Sequence, residues 1–307
     1  MKKLALVFLA VSILSAPCLA QVKKAEAEAL PVAAGPYLSQ TPPGSTPKVF
    51  APGIISTEKG WEAAISFSPD LGELFFTSRA SVAGTENRIM HMKKTLDGWS
   101  GPEPAPFARD SIEYEAFITP DYKKVIFKSQ RPNPAGTVKE GGIWYAPREK
   151  GAWGEAGYIP GPINQGWIMS VTSTLDNTLY FTGSFGDGYG IYRSRSGDSG
   201  YGRPEFLSEA INKSKYFGAS HPYIAPDESY LIFDAPLKGN SELFISFKKE
   251  DGGWTEARAF GQPINSEGYE GIATVSPDGK YLFFNRDNDI YWVDAALIQT
   301  MKKEMLR

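Results

Sequence analysis

Short apolar runs recur along the chain at a nearly constant interval. The five runs occupy residues 74–76, 125–127, 179–181, 231–233 and 282–284. Each follows a turn-like segment that ends close to an aspartate, and the five aspartates are separated by 51, 55, 51 and 51 residues. Apolar runs this short, bounded by turn signals, predict buried strands rather than helices. A fixed period of this size built from short strands predicts a β-propeller.

A second strand with alternating polar and apolar positions follows each run. These strands are predicted at residues 88–92, 142–145, 190–193, 242–245 and 289–292. In four repeats a turn and an aromatic residue then lead into a last strand, at residues 98–102, 151–155, 200–204 and 253–257. The fifth repeat lacks this segment, and its counterpart lies upstream of the first repeat, at residues 47–55. We therefore predict an all-β fold, a five-bladed β-propeller of four-stranded blades whose ring is closed by the N-terminal strand.

The repeat resembles that of a known group of proteins. Residues 276–284, Ser-Pro-Asp-Gly-Lys-Tyr-Leu-Phe-Phe, and residues 289–292, Asp-Ile-Tyr-Trp, resemble the WD-like repeat of exported TolB-like propellers. The resemblance covers about residues 47–295 and implies the propeller architecture. It implies no activity, because the repeated residues are structural and one fold serves many functions.

The two ends of the chain differ in composition from the repeats. Residues 1–20 contain a basic start, an apolar run and a small-residue end, which is typical of a signal peptide cleaved after Ala20. The apolar run is too short to span a membrane, so we expect a periplasmic or secreted protein that is not membrane-spanning. Residues 21–46 predict a flexible leader, residues 47–295 the β-propeller, and residues 296–307 a short C-terminal helix or tail.

Composition excludes several chemistries. The single cysteine lies in the predicted signal peptide, so no disulfide or thiol chemistry is expected. The formal charge of −3 gives no reason to expect nucleic acid as a partner. The only histidines are His91, in a third-strand pattern, and His221, so a zinc site built on histidine and cysteine cannot be assembled. We predict no metal, no cofactor and a monomer.

Aspartates recur at the head of each apolar run, and they could be mistaken for a set of catalytic or metal-binding carboxylates. They are Asp70, Asp121, Asp176, Asp227 and Asp278. Proline before aspartate favours a tight turn in which the carboxylate bonds its own backbone. We therefore interpret them as turn residues.

Three glutamates lie eight residues before the turn aspartates of the first, second and fifth repeats. Counting antiparallel pairs outward from the turn places an arginine beside each of them. The third and fourth repeats lack both the glutamate and the arginine. Because an unpaired buried charge is costly, we predict structural ion pairs. The predicted pairs are Glu62 with Arg79, Glu113 with Arg131, and Glu270 with Arg286.

Strand starts and the loops after the second strands should meet on one face around the axis. Aromatic rings beside charged groups on such a face suit a sugar, a peptide or a protein loop. The alternative is that the large rings fill gaps between blades. The predicted ligand-binding residues are Trp61, Tyr114, Glu115, Trp167, His221 and Tyr269.

These patterns predict an exported, non-enzymatic binding module that recognises a protein or glycan partner on its axial face. The alternative is a carbohydrate-active hydrolase that uses the axial glutamates Glu62, Glu115 and Glu270. An exposed pair of carboxyl groups about 5 to 10 Å apart would favour the hydrolase. Contacts between glutamate and arginine would favour the binding module, because they keep the carboxylates ionised.

Overall fold

Five antiparallel sheets surround a common axis in the computed structural model, which confirms the predicted five-bladed propeller. The structure describes residues 35–134, 136, 141–212 and 218–307. The predicted signal peptide and residues 21–34 of the predicted leader lie outside the described residues. The propeller belongs to one compact unit that spans residues 32–307.

Each blade has an inner, a second, a third and an outer strand, counted from the axis. Blade 1 contains Trp61–Phe67, Glu73–Arg79, Arg88–Thr95 and Glu103–Pro104, and Gly98–Trp99 also pairs with its third strand. Blade 2 contains Glu113–Ile118, Lys124–Ser129, Gly142–Glu149 and Gly157–Tyr158, and Ala152–Trp153 also pairs with its third strand. Blade 3 contains Trp167–Ser173, Leu179–Ser184, Tyr189–Ser194 and Glu205–Phe206. The chain between its third and outer strands forms a separate small hairpin, Ser196–Gly197 with Gly200–Tyr201. Blade 4 contains Ser220–Ile224, Tyr230–Leu237, Asn240–Phe247 and Arg258–Ala259, and blade 5 contains Glu270–Val275, Tyr281–Arg286, Asp289–Asp294 and Lys48–Val49.

The ring is closed by the N-terminal strand, as predicted. Lys48 lies opposite Trp292 and Val49 opposite Tyr291, in an antiparallel pair. Phe50 then donates its backbone N–H to Ile290 O at 2.7 Å, and its ring is completely buried. The outer edge of the last blade is therefore paired rather than exposed.

The hydrophobic core lies between neighbouring blades. Phe107, which follows the outer strand of blade 1, packs against Phe75 of blade 1 and Phe127 of blade 2, with ring centroids 5.3 and 4.9 Å apart. Similar clusters of buried aromatic and aliphatic residues occupy the other interfaces. Because each blade buries both faces against its neighbours, the ring is stabilised by apolar burial.

A polar cluster also joins blades 1 and 2, away from the axis. The Glu73 carboxylate is 2.8 Å from His91 Nε2, 2.9 Å from Trp153 Nε1 and 3.2 Å from Arg148 Nη2. The Tyr122 hydroxyl donates to the same carboxylate. Burial raises the pKa of Glu73, but these hydrogen bonds outweigh it and lower the pKa to about 2.

The turns between inner and second strands have one design. Each aspartate accepts the backbone N–H of the residue two positions later, at 3.0 to 3.2 Å. The residue after each aspartate has a φ between 54° and 72°, which is the left-handed region. The five aspartates are therefore turn residues, as predicted.

Residues 36–39 of the predicted leader pack against the propeller. Pro36–Ser39 forms a short 3-10 turn whose Tyr37 and Leu38 are buried against blades 1 and 5. The Tyr37 hydroxyl donates to Asp278 at 2.7 Å, and Trp99 Nε1 donates to Gly35 O at 3.0 Å. Two apolar side chains thus anchor a segment whose proline and glycine content suggested a linker.

An α-helix, Ala296–Met305, follows the last strand of blade 5, at the place where the sequence predicts a short helix or tail. Ile298 and Met301 are its buried residues, and they join the core between blades 4 and 5. Within the described ranges, no helix combines the length and the apolar character that crossing a bilayer requires.

Candidate functional site

A β-bulge in every inner strand shapes the axial channel. The bulge residues are Ala64, Glu115, Ser170, His221 and Ile272. All five have a φ between 47° and 57°, a region that non-glycine residues seldom occupy. Because the strain recurs in all five blades, it belongs to the fold and does not by itself mark a functional residue. The five bulge residues line a small axial cavity of about 30 Å³.

A ring of polar residues on the second strands supports the bulges. The ring consists of Thr77, Lys128, Thr182, Asp234 and Asn285, which occupy equivalent positions directly after the apolar runs. Three of them accept the backbone N–H of the bulge residue in the next blade: Thr77 from Glu115 at 2.8 Å, Thr182 from His221 at 2.8 Å, and Asp234 from Ile272 at 3.1 Å. The side chains of this ring therefore fix how consecutive blades meet at the axis.

Blade 2 departs from this pattern, because its ring position is occupied by Lys128. An ammonium group has no acceptor, so it cannot bond the bulge N–H of blade 3. Glu115 takes over this role with its own carboxylate, which accepts Ser170 N–H at 2.9 Å and the Ser170 hydroxyl at 2.6 Å. In blade 2 the carboxylate of Glu115 therefore lies at the axis.

His221 lies between two carboxylates at the axial channel. Its Nδ1 is 2.8 Å from Asp234 Oδ1 and its Nε2 is 3.9 Å from Glu115 Oε1. Burial lowers the pKa of His221, but the charge of Asp234, its hydrogen bond and the charge of Glu115 outweigh burial and raise the pKa to about 9. The imidazole is thus a cation at neutral pH, held by two anions. We call Glu115, His221 and Asp234 the axial triad.

Three exposed aromatic residues stand at the strand-start end of the channel. Trp167 is 41% exposed, Tyr189 39% and Tyr269 36%. The rings of Trp167 and Tyr189 are 5.7 Å apart, and the Tyr189 hydroxyl is 2.7 Å from Ser220 Oγ. Burial and the charges of Asp234 and Glu115 raise the pKa of Tyr269. We call Trp167, Tyr189 and Tyr269 the aromatic rim.

Of the six predicted ligand-binding residues, Glu115 and His221 belong to the axial triad, and Trp167 and Tyr269 belong to the aromatic rim. Trp61 starts the inner strand of blade 1, as Trp167 starts that of blade 3, but it is half-buried. Trp61 packs against the guanidinium group of Arg79, whose Cζ lies 4.4 Å from the ring centroid. Tyr114 is half-buried on the inner strand of blade 2, opposite Lys128. A role of Trp61 and Tyr114 in ligand binding stays a prediction.

Two of the three predicted ion pairs are in contact. Glu113 Oε1 is 2.6 Å from Arg131 Nε, and Glu270 Oε1 is 2.9 Å from Arg286 Nε. Both carboxylates also accept a backbone N–H from the loop that precedes their strand, Glu113 from Arg109 at 3.2 Å and Glu270 from Ser266 at 3.1 Å. These contacts tie the loop between blades to the inner strand.

The predicted pair of Glu62 with Arg79 does not form. The register places Glu62 opposite Ser78 and Trp61 opposite Arg79. Adjacent residues of a strand point to opposite faces, so Arg79 shares a face with Trp61 and not with Glu62. Glu62 instead accepts the backbone N–H and the hydroxyl of Thr57, at 3.2 and 2.9 Å. Burial raises the pKa of Glu62, and among the described residues no lysine or arginine contacts it.

Sequence reasoning missed Asp234, Ser170 and Tyr189. A signal for Asp234 was present in the sequence. A polar residue follows every apolar run directly, and a polar residue that continues a buried strand needs a hydrogen-bonding partner. Ser170 and Tyr189 carried no such signal, since serine and tyrosine are ordinary strand residues. Among the described residues no group of three or more histidine, cysteine, aspartate or glutamate side chains is arranged to hold a metal ion.

The comparisons with known proteins support the fold alone. No protein-family model and no curated protein sequence matches the chain. Among solved structures, the chain is similar to the catalytic domain of a GH62 α-L-arabinofuranosidase from Coprinopsis cinerea, with a TM-score of 0.50 and 13% identity, covering 82% of this chain and 97% of that one.

Two TolB structures are also similar. A putative TolB from Agrobacterium tumefaciens matches with a TM-score of 0.49 and 15% identity, over 73% of this chain and 69% of that one. TolB from Acinetobacter baumannii matches with a TM-score of 0.45 and 14% identity, over 75% of this chain, and the match spans only 53% of that TolB chain. At 13% identity, the similarity to the arabinofuranosidase domain concerns the fold and no activity.

Proposed function

We propose that the protein is a non-enzymatic binding module that recognises a glycan at the aromatic rim and axial triad. The observation that carries this proposal is the placement of three exposed aromatic rings around a charged, hydrogen-bonding centre at one mouth of the channel. Exposed large apolar side chains are few in this structure, and three of them meet here. Exposed rings that cluster beside polar groups are typical of ligand sites.

The chemistry of the mouth suits sugar hydroxyl groups. Tryptophan and tyrosine rings supply flat apolar area for the C–H face of a sugar ring. Glu115 can accept a hydrogen bond from a hydroxyl group, whereas the His221 imidazolium, which Asp234 holds through Nδ1, can donate one through Nε2. Because the charges are held in place by contacts among themselves, the site is organised before a ligand arrives.

The sequence predicted either a glycan or a protein segment as partner. A glycan agrees better with the site because its hydroxyl groups donate and accept hydrogen bonds, and because the opening offers rings rather than an extended apolar groove. A protein partner remains an outcome of the experiment below.

The hydrolase alternative was based on the glutamates Glu62, Glu115 and Glu270. Glu62 is 1% exposed and Glu270 is fully buried against Arg286. Of the three, Glu115 alone lines the axial cavity, and it is bonded to Ser170. Catalysis by a pair of carboxyl groups requires access to both sides of a sugar bond, so two buried glutamates do not support this alternative.

Export to the periplasm or the cell exterior is part of the same proposal. It rests on the pattern of residues 1–20, and a monomer is proposed with it. Such compartments are oxidising, and the proposed mature chain contains no cysteine that could be oxidised there.

A glycan array followed by calorimetry on the best-bound glycan tests the proposal. Trp167→Ala should weaken binding by about fivefold, because one stacked ring contributes on the order of 1 kcal/mol. Leu96→Ala, a change of a fully exposed residue in a turn of blade 1, is the matched control and should bind as the wild type does.

Two outcomes would overturn the assignment. If no glycan binds, the ligand belongs to another class. If the wild type cleaves a glycan and Glu115→Gln abolishes the cleavage, the hydrolase alternative replaces the binding module.

A further inference from the structure

The opposite mouth of the axial channel is apolar. Each blade contributes one residue to its rim, Pro69, Pro120, Leu175, Pro226 and Pro277, from the turn between the inner and second strands. The walls behind this rim include Phe67, Ile118 and Val275, and the cavity has a volume of about 240 Å³. Phe117 and Thr274 line both this cavity and the small cavity at the bulges, so the two are consecutive sections of one channel. We call this the proline mouth.

The polar atoms in the proline mouth are already engaged by the protein. Ser66 Oγ accepts the backbone N–H of Ile118 at 2.9 Å. Thr274 Oγ1 donates to Ile65 O at 2.8 Å, and the Tyr223 hydroxyl donates to Val275 O at 3.3 Å. A ligand in this cavity therefore meets mainly carbon surface, and burial of apolar surface is what it can gain.

The rim of the proline mouth is surrounded by carboxylates. The turn aspartates Asp70, Asp121, Asp176, Asp227 and Asp278 each follow a rim residue directly. The pKa of Asp176 is lowered chiefly by the hydrogen bond from Thr174. In Asp121 and Asp278 burial raises the pKa, but hydrogen bonds outweigh it and the pKa is lowered.

The same turns carry fewer cations than anions. Lys123 and Lys280 are exposed there, and Lys280 Nζ is 3.2 Å from Asp278 Oδ2. Asp70 and Asp227 are exposed, and only the Oδ1 atom of each is bonded within its turn. An apolar opening inside an anionic ring attracts a partner that is apolar at its centre and positive around it.

We propose that the proline mouth binds one aromatic or large aliphatic side chain of a protein segment that carries lysine or arginine on both sides of it. The volume suits this ligand, because an apolar cavity of about 150 Å³ already holds benzene. The flanking cations would lie over the turn aspartates while the apolar side chain enters the channel. This site is distinct from the proposed glycan site, which lies at the other end of the axis.

Synthetic pentapeptides test the proposal on the mature full-length chain. The probe has one phenylalanine between two pairs of lysines, and its matched peptides have alanine in place of phenylalanine or glutamate in place of lysine. Calorimetry at low salt should detect binding of the first peptide only. Raising the salt concentration should weaken that binding, because salt screens the contacts of exposed charges.

Variants separate this mouth from the other one. Leu175 is 60% exposed at the rim, so Leu175→Lys should leave the fold intact and weaken binding of the phenylalanine peptide by about tenfold or more through repulsion. Leu96→Lys adds the same charge in a turn of blade 1 and should have little effect. Trp167→Ala should leave binding of this peptide unchanged.

Three results would overturn the proposal. The alanine peptide could bind as tightly as the phenylalanine peptide, which would reduce the site to general charge attraction. Leu175→Lys and Leu96→Lys could weaken binding equally, which would place the peptide elsewhere. Trp167→Ala could abolish binding of the peptide, which would assign it to the aromatic rim.

Discussion

The two mouths of the axial channel are built from the same strands but differ in symmetry. At the proline mouth, four blades contribute a proline and blade 3 contributes Leu175, so the rim is nearly the same in every blade. At the other mouth the equivalent bulge residues are alanine, glutamate, serine, histidine and isoleucine. A ring of five similar residues cannot orient a ligand about the axis, whereas five different side chains can. Specific recognition of an asymmetric ligand is therefore expected at the end where the repeat is broken.

The largest expected effect comes from removing the anchor of the axial triad. Asp234→Ala takes away the acceptor of His221 Nδ1 and of Ile272 N–H, and it leaves a buried cation with one distant partner. We expect the free energy of unfolding to fall by about 3 to 5 kcal/mol, as measured by urea unfolding at neutral pH.

The matched control for this variant lies at the proline mouth. Asp227 is an exposed turn residue that accepts the Ser229 N–H at 3.0 Å. Asp227→Ala should cost about 1 kcal/mol or less, because water replaces the lost hydrogen bond. Equal losses in the two variants would contradict the energetic difference between the mouths.

The axial triad should also make the free energy of unfolding depend on pH. The pKa of His221 is about 9 in the folded protein and about 6.5 when unfolded. Because the folded state binds the proton more tightly, the stabilisation is complete below about pH 6.5 and is lost as the pH rises through about 9. Urea unfolding between about pH 6 and pH 10 should show a loss on the order of 3 kcal/mol.

His221→Gln is the control for this pH dependence. It removes the titrating group, so the variant should be less stable than the wild type at pH 6 and should lose less stability between pH 6 and pH 10. Parallel curves for the two proteins would show that other groups cause the effect.

The next comparison concerns the glutamates at the starts of two inner strands, Glu270 and Glu62. Glu270→Gln breaks the ion pair with Arg286 and should lower the free energy of unfolding by about 2 kcal/mol, since Arg286 still donates to Pro263 O and Ile264 O. Glu62→Gln should cost less than about 1 kcal/mol, because Glu62 pairs with Thr57 rather than with a cation. Thermal unfolding of both variants checks this order, and a larger loss for Glu62→Gln would contradict the register described above.

The smallest effect is expected at the one break in the proline rim. The repeat suggests that Leu175→Pro would improve the turn, but Leu175 donates its backbone N–H to Pro226 O of the next blade at 2.8 Å. Proline lacks this donor, so the variant should lose about 1 kcal/mol. Leu175→Ala keeps the N–H and should be nearly neutral. A gain in melting temperature for Leu175→Pro would show that this bond between blades contributes nothing.

The sequence predicted the number of blades and the closure of the ring because both depend on a period that survives in every repeat. It did not predict the positions within a blade to one residue. A bulge leaves no signature at residues such as Ala64 and Ile272, and the expected pair of Glu62 with Arg79 failed because its register was one position off. Tyr37 and Leu38 were overlooked because the residues around them favour a linker, and nothing local shows that a cleft between blades receives them.

His221 was found as a candidate because it lies at the start of a predicted inner strand, among the residues expected to meet around the axis. Its partners were harder to find, since a single aspartate in a strand has no fixed meaning until the neighbouring blade is in place. The site depends on contacts between residues from different repeats, whereas the pattern within a repeat reports contacts inside one sheet.

The pairing of Lys48–Val49 with the last blade determines when the ring can close during synthesis. The strand that is synthesised first has its partner only when residues 289–294 have followed it, so four finished blades cannot form a closed ring. During synthesis the hydrogen-bonding edge of the N-terminal strand therefore stays unpaired until residues 289–294 are available, and any factor that shields this edge would act before folding is complete.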